Sequence, residues 1–560
     1  MSDPMQRGRR ASASPVEVSF YGGLGEIGAN MASVEVDGKI ALIDVGLIFP
    51  DAEHHGIDLI LPDWSRLRER AEDVHCVVIT HGHEDHMGAL PFFLRDFPGV
   101  PIYSSRLALG LIGAKLEEHP DVTFTPVEVE AGERIETGPF DIEFLSVTHS
   151  IPDGMGVAFH TPHGTILHTG DFKLDQTPID GRPTDLPHFA QLGDEGVALL
   201  LADSTNADRP GHVKTERIVG DTLRDVFAAA TGRVVVTTFA SHVHRVQQAI
   251  DAAVEVGRKV CFVGRSMVRN MPIARDLGYL NYRDEHVVEM EDVEKMARDA
   301  TVIVCTGSQG EPYAALSLMA AGQHRQVRLE PGDTVVMASS VIPGNEHAIF
   351  KSINGLFRQG ADVVHTGIAD VHVSGHAAAD ELRILHNIVR PNAVIPVHGE
   401  YRHLVAHRKI AIETGVAEDN VLVCEDGDTI LLEDGEVRRG ESFQAGRVFV
   451  DGLGVGDVGN AVLRDRSRLS SEGVCVAVLV TDQHDRLDGE PMVVQQGIIY
   501  EPEAGDLLDQ AAKVLGEELR RVKDGEEAAV LRRITVQTLA RYWKEQTGRR
   551  PVILPIVVEV

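Results

Sequence analysis

The feature that most constrains the fold is a change in the rhythm of short apolar runs along the chain. From Val16 to about residue 205, β-branched runs of strand length are separated by glycine, aspartate or proline, which is typical of a β-rich domain. From about residue 215 to 370, strand-like runs alternate with helix-like segments. Repeated βα units of this spacing predict a parallel sheet that is covered on both faces.

The rest of the chain predicts two further regions. Residues 371–450 return to short strands and to the histidine-containing segments HVSGHA and VIPVHGEY. The glycine-rich segment DGLGVGDVGN is typical of a linker, and a strand, two amphipathic helices and an apolar closing strand follow it. The predicted organisation is a disordered basic tail at 1–14, a first domain at 15–215 that continues at 371–450, an inserted α/β domain at 216–370, a linker at 451–465 and a small α/β domain at 466–560.

Composition excludes a disordered or collagen-like chain, because 43% of the 560 residues are hydrophobic and 25% are charged. The 53 lysines and arginines against 85 aspartates and glutamates give a formal net charge of −32. This acidity argues against a nucleic-acid partner, since phosphates favour basic surfaces. Net charge does not determine what an individual site binds, however. The 26 histidines direct attention to metal ligands and proton transfer.

The five cysteines are too few for a disulfide framework, and none forms a C-x-x-C pair. Each lies in or beside an apolar run, so we expect buried free thiols in a reducing compartment. No apolar stretch approaches the ~18–20 residues of a membrane span. The N-terminal segment also lacks the apolar region of a secretory signal. We therefore expect a cytoplasmic protein that has no membrane partner.

Gly23, Gly25 and Gly28 match the G-x-G-x-x-G pattern of dinucleotide-binding proteins. That function requires a helix directly after the glycines, because the helix N-terminus binds the pyrophosphate. The sequence continues instead with two strand-like runs around an Asp-Gly turn. The pattern therefore predicts a glycine-rich turn at a sheet edge.

The strongest chemical signal is the segment THGHEDH at residues 80–86, which follows the strand-like run CVVI. Three imidazoles and a carboxylate this close together suit zinc and similar ions. Further ligand-type residues end later strand-like runs, and seven ligands suit two ions that share a carboxylate. The candidate ligands are His81, His83, Asp85, His86, His149, Asp171 and His398.

This set resembles the metallo-β-lactamase superfamily, in which an HxHxDH motif precedes a further histidine and an aspartate. The resemblance implies two divalent ions, with zinc expected and manganese or magnesium as alternatives. It also implies how the ligands are shared. His81, His83 and His149 would hold one ion, Asp85, His86 and His398 the other, and Asp171 would bridge them.

About 170 residues lie between Asp203, in LLADSTNA, and His376, in HVSGHA. This insertion resembles the β-CASP nucleases of that superfamily. GGLGEIGAN, ITHGHEDHMGALP, CTGSQGEP, HGEYR and RRPVILPIVVEV are similar to the ribonuclease J family, with matches from about residue 17 to 560. His242 is a departure, because asparagine is common there. The implied fold class is α/β: a metallo-β-lactamase αββα sandwich with an inserted β-CASP α/β domain and a small C-terminal α/β domain.

The resemblance implies a ribonuclease that degrades RNA from the 5′ end, prefers a 5′-monophosphate and also cleaves endonucleolytically, in RNA maturation and decay. Two-metal hydrolysis would use Asp85, with His376 as general acid and Asp203 orienting it. A 5′-phosphate pocket and a structural, calcium-like ion are implied as well. The pocket residues would be Ser241, His244, His372, Val373, Ser374, Gly375 and His376, and the structural ion would use Gly56, Asp58 and Asp451.

Implied partners are single-stranded RNA with a 5′-monophosphate, further copies of the chain in a dimer or tetramer, and other RNA-degradation proteins. A β-CASP nuclease acting on DNA and a non-catalytic RNA-binding subunit are the alternatives. A small-molecule hydrolase is disfavoured because it would lack the insertion after Asp203. If RNA is the substrate, the acidic residues must lie away from its path, and we expect basic residues beside it: Lys214, Arg245, Arg265 and Arg269.

Overall fold

The computed structural model describes residues 14–51, 53–342, 345–482, 487–500, 504–522 and 528–560. Except for Ser14, the predicted N-terminal tail lies outside the described residues. The chain forms two compact units, Met1–Phe49 with Leu59–Val448 and Pro50–Asp58 with Phe449–Val560. Among the described residues, no helix combines the length and apolar character needed to cross a membrane.

The first part of the chain is rich in strands, as its sequence predicts. The strands are β1 (Val16–Gly22), β2 (Leu24–Gly25), β3 (Met31–Val36), β4 (Lys39–Ile43), β5 (Leu59–Pro62), β6 (Val74–Val78), β7 (Pro101–Ser104), β8 (Thr125–Glu128), β9 (Arg134–Thr137), β10 (Phe140–Ser146), β11 (Met155–Thr161), β12 (Gly164–His168) and β13 (Val197–Asp203). The helices are α1 (Ser65–Arg68), α2 (Glu84–Met87), α3 (Leu90–Asp96), α4 (Arg106–Leu116) and α5 (Leu186–Glu195).

Helices and strands alternate in the next part of the chain. They are α6 (Arg217–Ala229), β14 (Val234–Thr237), α7 (Val243–Glu255), β15 (Lys259–Val263), α8 (Arg265–Asp276), α9 (Met290–Val293), β16 (Thr301–Cys305), α10 (Ala315–Ala320), β17 (Thr334–Met337), α11 (Glu346–Arg358) and β18 (Asp362–Val364). Single 3₁₀ turns lie at Ala71–Asp73, Asp284–His286, Arg298–Ala300 and Glu418–Asn420.

The last part returns to the first architecture and then forms the small C-terminal region. Its elements are α12 (Ala379–Val389), β19 (Ala393–Val397), β20 (Gly399–Glu400), α13 (Tyr401–Glu413), β21 (Thr429–Glu433), β22 (Glu436–Arg439), β23 (Arg447–Asp451), β24 (Gly454–Val455), α14 (Asn460–Glu472), β25 (Val474–Thr481), β26 (Met492–Gln496), α15 (Gly505–Leu519), α16 (Ala528–Thr547) and β27 (Val552–Glu559).

Two sheets form the αββα sandwich of the first unit. Their strand orders are β22-β21-β1-β3-β4-β6-β7-β8 and β19-β13-β12-β11-β10-β9. One buried core joins their facing sides, with Val34 and Ile43 from the first sheet and Phe144 and Leu199 from the second. The opposite face of the second sheet packs on α5, α12 and α13. Because β19 joins this sheet after the α/β insertion, residues that are distant in sequence meet at the ends of its strands.

The inserted region contains a five-stranded sheet in the order β15-β16-β14-β17-β18, and each neighbouring pair is parallel. The central strands are buried over their whole length, as in β14 and β16. This arrangement confirms the predicted parallel, covered sheet. Such sheets bind ligands at the carboxyl ends of their strands, and here β14 leads into α7 at that edge.

The second unit contains a sheet in the order β26-β25-β27, in which β25 runs parallel to the closing strand β27. Residues of α15 and α16 pack on one face of this sheet, around Trp543. The predicted linker at 451–465 contains more regular structure than its composition indicates. Positive φ angles at Gly452 and Gly456 allow the β23–β24 hairpin, and α14 already begins at Asn460.

All five cysteines are buried and unpaired, as the sequence predicts. Burial raises the pKa of the Cys76, Cys305 and Cys424 thiols to about 12, so that these groups stay protonated and unreactive at neutral pH.

Candidate metal centre

The ligand-type residues of the THGHEDH segment are positioned by the end of β6 and by the short helix α2. His81 and His83 precede α2, and Asp85 and His86 lie within it. Gly46 allows the neighbouring loop to approach this helix, since a Cβ atom there would lie 1.7 Å from the carbonyl oxygen of Asp85. The motif is therefore held in place by backbone packing.

His81, His83, His149 and Asp171 form the first ligand group, in which the candidate ligand atoms all lie within 4.8 Å of one another. The Nδ1 atom of His83 lies 3.0 Å from His81 Nε2 and 3.2 Å from His149 Nε2. Two nitrogens at ~2.0–2.1 Å from one tetrahedral ion would lie roughly 3.3 Å apart, so the spacing suits such an ion. Burial lowers the pKa of His83 to about 4 and holds those of His81 and His149 well below the usual value. All three rings are therefore neutral and offer a lone pair.

Asp85, His86, Asp171 and His398 form the second group. His398 Nε2 lies 3.3 Å from Asp85 Oδ2, and His86 Nε2 lies 3.2 Å from Asp171 Oδ2. The same Oδ2 atom of Asp171 lies 3.7 Å from His81 Nε2 in the first group. Asp171 thus occupies the position between the two groups that a bridging carboxylate requires.

Hydrogen bonds from Nδ1 orient two of the imidazoles, those of His86 and His149. His86 Nδ1 donates to Asp44 Oδ2 at 2.7 Å, and Asp44 also accepts the backbone N–H of Thr80. His149 Nδ1 donates to the carbonyl oxygen of Gly375 at 2.8 Å. These bonds place the ring proton on Nδ1 and the lone pair on Nε2, as a ligand role requires. The Nε2 atom of His86 also lies 3.1 Å from Asn30 Nδ2.

Sequence reasoning missed Asp44 and Thr205. Asp44 follows the apolar run of β4, so its position after a buried strand was an available signal. Thr205 accepts a hydrogen bond from His398 Nδ1 at 2.6 Å, and nothing in the local sequence identifies that partner, which is 193 residues away. The neighbouring Ser204 Oγ accepts a bond from His407, whose ring in turn contacts His386 at 2.9 Å.

His376 lies beside both groups and is oriented by Asp203. Its Nδ1 atom lies 2.8 Å from Asp203 Oδ2 and 3.9 Å from Asp171 Oδ2. Although burial opposes protonation, the two carboxylates raise the pKa of His376 above its ordinary value. Conversely, His376 and His398 hold the pKa of the Asp203 carboxyl well below its usual range, against the effect of burial. The geometry therefore favours the protonated form of His376, whose Nε2 atom has no hydrogen-bond partner among the described residues.

The residues predicted to bind a terminal phosphate lie on two segments, the start of α7 and residues 372–376. Arg245, in α7, connects the two segments through hydrogen bonds. Its guanidinium donates to His372 Nδ1 at 2.7 Å and to Val373 O at 3.5 Å. Ser374 Oγ accepts from Asn206 Nδ2 and from the backbone N–H of His376. Ser241 directly precedes the N-cap of α7, and His244 lies in the first turn, with Nε2 3.8 Å from Asp180 Oδ2.

The expectation that Arg245 lines an RNA path was wrong. Its side chain is fully buried and forms a bidentate ion pair with Glu216, because a buried charge requires a partner. Lys214 and Arg269 are paired with Asp370 and Glu118, respectively, at 2.8 Å. Arg265, at the start of α8, is exposed.

The predicted structural-ion residues meet within the second unit, where Asp58 Oδ2 accepts the backbone N–H of Gly452 at 2.8 Å. The guanidinium of Arg466 contacts the Asp451 carboxylate and donates to the carbonyl oxygen of His55 at 3.0 Å. A Cβ atom at Gly56 would lie 2.8 Å from Arg466 Nη1. A positive charge therefore already lies at this position, and the donor set as arranged does not fit a calcium ion.

The glycine-rich loop after β1 packs beside His398, whose backbone N–H donates to the carbonyl oxygen of Gly23. Its Leu24–Gly25 strand pairs with β20, and strand β3 follows in the chain. This confirms that no helix follows the glycines. The Leu24 backbone N–H donates to Asp426 Oδ1 at 3.1 Å, so that Asp426 anchors the loop.

Replacing Asp426 by Asn is expected to stabilise the protein at alkaline pH. Burial and the Glu26 charge raise the pKa of Asp426 to about 7 from 3.8, so the folded state binds more protons than the unfolded state between these values. Stability is therefore lost as pH rises from about 4 to about 7. A shift of roughly three pKa units corresponds to about 4 kcal/mol, and the amide keeps its acceptor for Leu24.

Urea midpoints of the two proteins should coincide near pH 4 and diverge up to pH 8. Asp428→Asn is the matched control. Although burial acts in the opposite direction, hydrogen bonds from the Glu425 N–H and Arg439 lower the pKa of Asp428. This variant should therefore be less stable than the wild type at neutral pH. A pH-independent difference for Asp426→Asn would refute the role of its carboxyl group.

Four family models match the chain. They are "Metallo-beta-lactamase superfamily" over residues 25–212, "Ribonuclease J, beta-CASP domain" over 231–356, "Zn-dependent metallo-hydrolase RNA specificity domain" over 361–423 and "Ribonuclease J C-terminal domain" over 461–560. A solved structure of a protein of unknown function from Enterococcus faecalis is similar in fold, with a TM-score of 0.53 and 15% identity over 75% of this chain and 100% of that chain.

Full-length relatives carry the same family name. Ribonuclease J of Mycolicibacterium smegmatis is 44% identical over 549 residues, which cover 97% of each chain. Ribonuclease J2 of Bacillus subtilis is 38% identical over 556 residues, which cover 99% of this chain and 100% of the relative. With its αββα sandwich, its inserted parallel sheet and its paired histidine–aspartate groups, the chain belongs to the ribonuclease J family of metal-dependent ribonucleases.

Proposed function

We propose that this ribonuclease degrades single-stranded RNA from the 5′ end, prefers a 5′-monophosphate and also cleaves internally, in RNA maturation and decay within a reducing cytoplasm. The observation that carries the proposal is the continuity between the metal centre and the 372–376 segment. His149 donates to the Gly375 carbonyl oxygen, and His376 lies beside Asp171. Phosphate-binding groups on that segment would therefore stand at a short, fixed distance from the reacting centre.

We infer that two divalent cations, zinc in the first instance and manganese or magnesium as alternatives, are held by the two groups described above. Their mixed imidazole and carboxylate donors suit zinc best. When bound, such a pair supplies Lewis acidity and lowers the pKa of water. Asp171 would bridge the pair, and Asp85 would complete the second group.

The remaining steps belong to side chains of this chain. Hydrolysis breaks the bond between phosphorus and the 3′ oxygen, and that oxygen needs a proton as it departs. We infer that His376 donates this proton from Nε2, because Asp203 holds Nδ1 and favours the protonated ring. Asp203 therefore acts as a positioning residue.

One RNA sequence with a 5′-monophosphate, a 5′-triphosphate or a 5′-hydroxyl group, and the matching DNA, tests the proposal. We expect mononucleotide release to be fastest from the monophosphate, absent after chelation and slow on DNA. Internal cleavage should be independent of the 5′ group. Equal rates on DNA, or activity that survives chelation, would refute the proposed substrate class or the metal dependence.

We also propose that the chain forms a homodimer or homotetramer through the open face of the C-terminal sheet. Exposed Leu554, Ile556, Met492 and Val494 lie on its two edge strands, and strand register places Val476 and Val478 between them. Such a contiguous apolar surface favours association.

The variant Ile556→Glu should shift the protein towards a monomer in sedimentation experiments and leave its metal content unchanged. Phe357→Glu, at an exposed apolar position of the first unit, is the control and should keep the wild-type mass. An Ile556→Glu protein of unchanged mass would refute this interface.

We also propose a structural calcium ion with the ligands Gly56, Asp58 and Asp451. The guanidinium of Arg466 contacts the Asp451 carboxylate, so Arg466 must move away before the ion can bind.

A further inference from the structure

The second unit carries a strongly basic region, although the net charge of the whole chain is −32. Residues 528–553 contain six basic residues and one acidic residue. Part of this charge lines a groove of about 540 Å³ between α14, α16 and the edge strand β27, which we call the C-terminal groove. Its basic residues are Arg468, Arg541, Lys544 and Arg550, and all four are exposed.

The pairing of two strands explains why these cations meet. Strand β25 follows α14 in the chain, and β27 follows α16. Because β25 and β27 run parallel with Val474 opposite Val552, the C-terminal ends of the two helices lie at the same end of the sheet. The Val552 N–H donates to the Gly473 carbonyl oxygen at 3.0 Å and links these ends. Cations that are distant in sequence therefore form one surface.

Most of the charge in the C-terminal groove is not neutralised by other side chains. Arg541 lies 3.7 Å from Glu518, and the other three basic side chains have no ion-pair partner among the described residues. The Glu472 carboxylate accepts the backbone N–H of Arg550 at 2.8 Å. A helix dipole favours a cation in the last turn, which accounts for Lys544 but not for the two arginines on the helices. Converging cations that repel one another indicate an anionic ligand.

We propose that the C-terminal groove binds the phosphate backbone of the RNA substrate, at a site that shares no residue with the metal centre. A run of phosphates matches several exposed cations along one groove, whereas the acidic remainder of the chain repels RNA. Among the described residues that line the groove, none is aromatic or acidic, and the apolar ones include Val536, Ala540 and Val552. Base stacking requires aromatic rings, so the groove should bind RNA without regard to base sequence.

The double variant Arg468→Gln/Lys544→Gln tests the proposal in the whole chain with its metals bound. A trinucleotide at the metal centre has no further phosphates for the groove, whereas a single-stranded RNA of about 40 nucleotides has many. Because two phosphate contacts are lost, KM for the long RNA should rise about tenfold near physiological salt, with kcat, metal content and trinucleotide kinetics unchanged. Lys409→Gln/Lys513→Gln removes the same charge at exposed positions outside the groove and should match the wild type on both substrates.

Salt dependence provides a second readout. The logarithm of affinity for a single strand falls with the logarithm of salt concentration by about 0.7 per phosphate contact, so the slope for the long RNA should be shallower by about 1.4 in the groove variant. Polyuridine and polyadenosine should show the same change. An unchanged KM and slope would overturn the inference. Equal losses on the trinucleotide would also overturn it, since the substitutions would then act through the metal centre. A smaller mass in sedimentation would identify the groove as an interface between copies of the chain instead.

Discussion

Replacement of Asp171 by Ala is expected to abolish ribonuclease activity together with metal binding. The Oδ2 atom of Asp171 lies within 3.9 Å of imidazole nitrogens from both ligand groups and from His376. Opposing burial, His398 and His86 hold the pKa of its carboxyl well below the usual range, so it is an anion. Without the Asp171 carboxylate, each of the two cations would lose a ligand. The repulsion between the cations would also no longer be offset by a negative charge between them. A loss of several kcal/mol in transition-state stabilisation corresponds to roughly 10³–10⁴ in rate.

Elemental analysis by mass spectrometry after desalting should show metal content falling from two ions per chain towards none. Asp121→Ala, at an ion-paired surface carboxylate, is the control and should keep both ions and full activity. If Asp171→Ala retained both ions and wild-type turnover, Asp171 would not be the bridging residue.

Replacement of His376 by Ala is expected to lower kcat by about 10²–10⁴ with metal content unchanged, which is the range for loss of a general acid. Since Asp203 and Asp171 raise the pKa of His376, the protonated form persists to higher pH than for an ordinary histidine. The wild-type kcat should therefore fall on the alkaline side of its pH profile, and the variant should lack that limb.

A substrate with sulfur in place of the 3′ oxygen at the scissile bond separates the roles of His376. A thiolate leaves without a proton, so the variant and the wild type should cleave it at similar rates. Asp203→Asn should show a smaller loss on the ordinary RNA, because it weakens only the orientation of His376. Loss of metal from His376→Ala, or an equal defect on the sulfur substrate, would contradict the general-acid assignment.

The two ligand groups were largely predictable, because each candidate ends a strand-like run or begins the helix after one. THGHEDH, His149, Asp171 and His398 all follow this rule. Parallel strands place their carboxyl ends at one edge of a sheet, and the pairing of β13 with β12 and β19 brings these ends together. The helix–strand alternation of residues 216–370 likewise predicted the parallel sheet correctly.

The errors concern side chains whose role depends on distant partners. Arg245 resembles a surface cation in sequence, but Glu216 neutralises it in the core. The composition of residues 451–465 indicates a linker, yet the structure there includes a hairpin and the start of α14.

The sequence by itself determined the order of the domains, the donor chemistry of the metal centre and the family, because these depend on residue type and spacing along the chain. Only the tertiary structure decided which nitrogen of each histidine faces the other ligands and which buried groups lack a partner among the described residues. Those properties depend on distances of a few ångströms between residues up to 313 positions apart. His242 is the clearest case, since in the sequence it is a single departure from a common asparagine. In the fold it is an imidazole at the start of a helix that has no hydrogen-bond partner in the part of the chain that the structure describes.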